Sequence, residues 1–123
     1  MTAIWQKLCG MASAEVETVL NDLPEGLRQQ VRHVPITFEH KPNEALQAEG
    51  IEDDTLGVFT GVEYANEGLI PVPPQIILYL ENIWDQAEGE ENAFRGEIRT
   101  TFLHELGHFL GMDEDDLTER GLE

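Results

Sequence analysis

The stretch NAFRGEIRTTFLHELGHFLGMDE, residues 92–114, decides how the rest of the chain is read. From about Asn92 to Gly111 it keeps helical spacing and contains no proline. On a helical wheel of about 100° per residue, Ile98, Phe102, Leu103, Leu106, Phe109 and Leu110 gather on an arc of roughly 140°, wide enough for a core face. His104 and His108 stand one turn apart on another side, flanked by Thr101 and Glu105. The spacing predicts a helix with an oily side and a ligand side. Gly111 is placed to end it, because glycine enters the left-handed conformation that a returning chain needs.

One turn of separation lets both imidazoles reach the same ion. Past Gly111 the chain can turn back and bring in a carboxylate oxygen from Glu114. Asp113, Asp115 and Asp116 crowd that position and compete as third ligand, with spacing favouring Glu114. Two histidines and one acid leave a fourth position open to water, as in catalytic zinc sites. A closed structural site would draw on cysteines, and Cys9 is the chain's one cysteine. Glu105 points away from the shared ligand direction of the histidines. It is the candidate general base, taking a proton from zinc-bound water and passing it to a leaving amine.

Chance supplies a bare HExxH in about two of a hundred chains of this composition. With Gly111 and Glu114 in step, the figure falls below roughly one in a thousand, so a metal site outweighs a plain core helix. HELGHFLGMDE, residues 104–114, resembles the HExxHxxGxxD/E signature of zincin metallopeptidases. A chain of 123 residues carrying it resembles the bacterial mini-zincin family in particular, most firmly over about residues 75–118. The resemblance implies a small zincin-like α+β fold, with a three- to four-stranded mixed sheet packed against helices, the active-site helix lying toward the C-terminus. It also implies one zinc ion held by His104, His108 and Glu114, with Glu105 as general base. The family more often has Asp where Glu114 stands. Large metzincins carry a methionine turn after the motif; here the nine residues after Glu114 include no methionine. The cleft is therefore expected to be shallow.

Upstream, residues 1–12 read as a loosely ordered arm or short helix. Ser13 reads as the N-cap of a helix carrying Val16, Val19, Leu20 and Leu23, with Glu15 and Glu17 in its first turn. Pro24 closes that helix and opens another bearing Leu27 and Val31. Val34, Ile36 and Phe38 alternate with Pro35, Thr37 and Glu39, as in a half-buried strand. Residues 41–54 read as a loop. Thr55 to Val62 is a glycine-bearing edge strand or bulge, and it can present its edge to an extended peptide, as zincin strands do by resemblance. Gln75–Leu80 is a strand apolar on both faces, followed by a helical turn over Glu81–Ala87. Strands without βαβ alternation argue for α+β, with helices on one face of a small sheet. The expected organisation is a single domain spanning residues 1–123.

Seven Lys and Arg against 25 Asp and Glu leave a net charge of −18. Such a surface repels phosphate backbones and anionic membranes, which argues against nucleic acid and membrane as partners. No apolar run approaches the ~18 residues of a membrane span. Lys7 and Cys9 break up the early apolar residues, so no signal peptide is read. A lone cysteine, read as an inert thiol, suits the cytoplasm. His33 and His40 read as surface residues, Tyr64 and Tyr79 as packed side chains, and Trp84 as a cap on the core.

The leading expectation is a zinc metallopeptidase acting on peptides or unfolded protein segments. One alternative is a non-catalytic, metal-stabilised binding module, arranged as a homodimer. Another is a metal-dependent endoribonuclease, from a family with His-x3-His-x5-His; Glu114 stands at its third position and the charge opposes RNA.

Overall fold

The computed structural model describes residues 3–48, 50–60 and 74–111. Among these residues, five helices and three strands follow one another as α1 (Ala3–Asp22), α2 (Glu25–Val31), β1 (Ile36–Glu39), α3 (Glu44–Ala48), β2 (Gly57–Thr60), β3 (Gln75–Tyr79), α4 (Leu80–Gln86) and α5 (Glu91–Leu110). The strand order is β1-β3-β2, with β1 parallel and β2 antiparallel to β3. The fold is α+β with a mixed sheet, as the sequence predicts.

The expectation at the N-terminus is corrected. Of the two readings, residues 3–12 take the helical one and form no loose arm, but the helix is not a short separate one and Ser13 caps nothing; both lie within one continuous helix, α1. Leu8, Met11, Ala12, Val16 and Val19 are buried on one stripe, at spacings of three and four that continue across Ser13. That burial outweighs the loss of about 1 kcal/mol expected from Gly10 in the helix interior. Glu15 then sits mid-helix, not in a first turn. It is buried against α5, where Arg99 lies 3.1 Å away and Arg95 3.7 Å. On the surface, Lys7 of α1 also pairs with Glu91 of α5.

Pro24 precedes α2 in extended backbone, and Leu27 and Val31 are buried as expected. Residues 41–54 are not all loop: they contain α3. The strand expected over 55–62 is ordered as β2 at Gly57–Thr60, and residues 61 and 62 lie outside the described residues. Central β3 is buried from Ile76 to Tyr79, which explains its unbroken apolar run. Ile76 and Leu78 join the helical core, with Ile36, Phe38 and Phe59 packed beside them.

α5 organises the rest. The Glu90 side chain accepts from the N–H groups of Asn92 (3.1 Å) and Ala93 (2.7 Å), which satisfies two donors that the first helical turn leaves open. At the other end Gly111 adopts φ 71° and ψ 26°, the left-handed cap predicted for it. Phe94, Ile98, Phe102 and Phe109 are fully buried between these ends.

Candidate metal centre

α5 carries His104 and His108 on its solvent side and Glu105 on a buried side. The two imidazole rings stand 4.6 Å apart between centroids, tilted by 57°. One ligand atom from each of His104, Glu105 and His108 can be chosen so that all lie within 4.8 Å of one another. Two imidazole nitrogens beside a carboxylate form a donor set suited to zinc and related divalent ions. The described residues therefore fit such an ion. Glu114, Asp113, Asp115 and Asp116 lie outside the described residues, as does Tyr64.

Glu105 differs from the histidines in its surroundings. It is only 6 % exposed, because β2 crosses α5 on that side. The crossing is close. A Cβ built on Gly57 would lie 2.7 Å from Thr101 Cγ2, 3.1 Å from Leu78 Cδ2 and 3.2 Å from the Ile77 carbonyl oxygen. Only glycine permits this approach. Two residues on, the backbone N–H of Phe59 donates to the Glu105 carboxylate, and the Phe59 ring meets Phe109 edge-on at 5.8 Å.

Strand register explains why Phe59 has that donor to give. Tyr79 N–H donates to the Leu56 carbonyl at 2.9 Å, so Leu56 and Tyr79 face each other as a hydrogen-bonded pair. Such pairs alternate along an antiparallel ladder, so Phe59, opposite Ile76, belongs to the other set. Its N–H and C=O are turned away from β3. Among the described residues β2 borders the sheet, so the N–H serves Glu105 instead of the ladder.

Burial pushes the Glu105 carboxyl above its ordinary range, while the neighbouring His108 and His104 and the Phe59 N–H pull the other way. Glu105 Oε1 lies 3.6 Å from His108 Nδ1, close enough for attraction but too long for a hydrogen bond. The arrangement thus combines an exposed pair of nitrogen ligands with a shielded carboxylate of raised pKa.

Sequence reasoning found this trio but missed the strand that holds Glu105. A backbone donor leaves no mark in side-chain identity. The one available signal was Gly57 inside a strand, which marks a close backbone approach.

The remaining marked residues lie elsewhere. His33 is exposed, and His40 bonds Glu81 on α4. Tyr79 is fully buried, its hydroxyl without a hydrogen-bond partner among the described residues, and burial with the nearby Glu39 raises its pKa. Trp84 packs edge-on against Phe94 at 5.5 Å. Partial burial pushes the Cys9 thiol up, away from a reactive thiolate. No helix among the described residues is long and apolar enough to cross a membrane.

No curated protein matches the chain. The family model described as zincin-like metallopeptidase matches residues 31–122, a span that includes the sheet and all of α5. With three quarters of its length so matched, the chain belongs to the zincin-like metallopeptidase family.

Proposed function

We propose that the protein is a zinc-dependent peptidase acting on peptides or unfolded protein segments. The observation that carries this reading is the division of labour on α5: His104 and His108 open to solvent, Glu105 buried beside them under β2. In the proposed site His104 and His108 hold the ion, with Glu114 as third ligand and Asp113 or Asp115 as its competitors. Bound there, zinc supplies Lewis acidity toward a carbonyl and makes a water molecule more acidic.

Glu105 is the proposed general base. Its raised pKa brings it nearer neutrality than an ordinary carboxylate, which suits accepting a proton and then releasing it to a leaving amine. The N–H of Phe59 fixes the orientation of that carboxylate. Apart from the Phe59 N–H, which Glu105 takes up, the outward backbone groups of β2, the border of the sheet among the described residues, would supply the edge along which an extended peptide lies. The lone cysteine suits a cytoplasmic setting.

The test pairs zinc analysis with a broad peptide library. The wild type is expected to bind about one zinc per chain and to hydrolyse a subset of peptides. Glu105→Gln should keep the metal and lose about 10²–10⁴-fold in rate, whereas His108→Ala should lose the metal itself. Stoichiometric zinc without hydrolysis of any peptide would replace the peptidase with a metal-stabilised binding module.

A further inference from the structure

A groove of about 410 Å³ runs between the first turns of α1 and the helix α4. The chain has two tryptophans, and both Trp5 and Trp84 line it. His40 stacks on Trp5 with ring centroids 3.8 Å apart and an 18° tilt, and is itself hydrogen-bonded to Glu81. Trp84 is braced against Phe94. The aromatic walls are thus held in place before any partner arrives, which lowers the entropy lost on binding. At the mouth stands Ile4, 46 % exposed, a large apolar side chain left facing water.

The polar lining of the groove is the His40 imidazole and two carboxylates. Glu81 and Asp85 lie one turn apart on α4 and both line it. Glu81 is engaged by His40, while Asp85 has no ion pair among the described residues. The groove is also separate from the metal centre. Phe94, behind Trp84, is in the first turn of α5, and His104 and His108 follow roughly 15–20 Å further along that helix.

We propose that this groove docks a basic amphipathic segment of a protein substrate. Aliphatic side chains lie against Ile4 and the indole faces, and a lysine or arginine reaches Asp85 and the aromatic rings. Charge complementarity selects this occupant. A second copy of the chain would bring another net −18 toward two carboxylates, and an acidic segment would be repelled in the same way. That the segment belongs to a substrate rests on the peptidase reading; that it docks here does not.

Because both tryptophans line the groove, intrinsic fluorescence reads its occupancy directly. The full chain is titrated with a synthetic helical peptide of leucine and lysine, and with its leucine–glutamate counterpart, with zinc and with a chelator. The leucine–lysine peptide should shift the emission with or without zinc, and the acidic one should not. Asp85→Lys should weaken binding by about tenfold or more. Glu17→Lys makes the same charge change on an exposed part of α1 and should weaken binding by less than about twofold. Equal weakening by both substitutions, equal binding of the acidic peptide, or no shift at all overturns the proposal. So does a fluorescence change that follows self-association in sedimentation, which would give the groove to a second copy. Binding in the groove together with no hydrolysis of any peptide in the library keeps the groove and removes only the peptidase.

Discussion

Glu105 is held under opposing influences, and their balance can be measured. Burial disfavours its charge, while the Phe59 N–H and the adjacent histidines favour it. Burial is the largest of these, so the carboxyl is harder to ionise in the folded chain than in the unfolded one. Below the ordinary carboxyl pKa the group is neutral in both states and has no effect on stability. As pH rises through the folded pKa, the unfolded state has already released its proton, and the folded state bears an ionised, buried group. The penalty therefore grows with pH and levels off above the folded pKa. In metal-free protein, Glu105→Gln should be more stable than wild type at pH 7 by on the order of 1 kcal/mol, since the glutamine oxygen still accepts from Phe59. The gain should fade toward pH 4, and zinc should narrow it by supplying a compensating charge. Thermal melts of both proteins from pH 4 to 8, with chelator and with zinc, follow it. A difference that stays flat or reverses with pH contradicts the assignment of burial as the main cause.

Between elements, the decisive contact is β2 lying on α5. Gly57 allows the two backbones to approach, and this approach sets Phe59 against Glu105. Gly57→Ala should lower stability by roughly 1–3 kcal/mol, because the new methyl meets Thr101 Cγ2 at 2.7 Å. Thr101→Ser removes that methyl and should restore part of the loss, although Leu78 and the Ile77 carbonyl still crowd the position. If Gly57→Ala melts like the wild type, β2 does not press on α5. The same contact shows what a sequence can disclose. α5 was legible from Asn92 to Gly111 because its apolar period, its histidine pair and its terminal glycine all agree, and β3 because a short run apolar on both faces suits a central strand. The start of α1 was not. Its early residues show weak local patterning, and their helix is secured by packing and by the Glu15 contacts with Arg95 and Arg99, some 80 residues away. α3 escaped notice because five polar-flanked residues form too short a period to detect. At the site, the ligand types were visible from spacing, but the donor from Phe59 belongs to the backbone and depends on strand register.

Across the whole molecule, the charge of −18 acts on the fold and on any charged peptide that approaches it. Like charges repel one another in the compact state, and salt screens that repulsion, with a Debye length of about 10 Å at 0.1 M. The interhelical pairs Lys7–Glu91 and Glu15–Arg99 are also weakened by salt, but Lys7 is half exposed and such pairs contribute little. Repulsion among 25 acids opposed by seven bases should dominate, so raising NaCl from about 0.01 to 0.5 M should raise the melting temperature. The field extends to the proposed active site. For short peptides of equal length, basic ones should be cleaved with a higher kcat/KM than acidic ones at low salt, because attraction raises their encounter rate. Salt should lower the first and raise the second, bringing the two together. A salt effect of the same sign for both peptide classes would mean that the field acts through the stability of the fold and not on the substrate. Measuring both peptides on the same preparation, at temperatures well below its melting point, separates the two. Acidic peptides favoured at low salt would place a local positive potential at the cleft, and the ion with its histidines would then outweigh the surface around it.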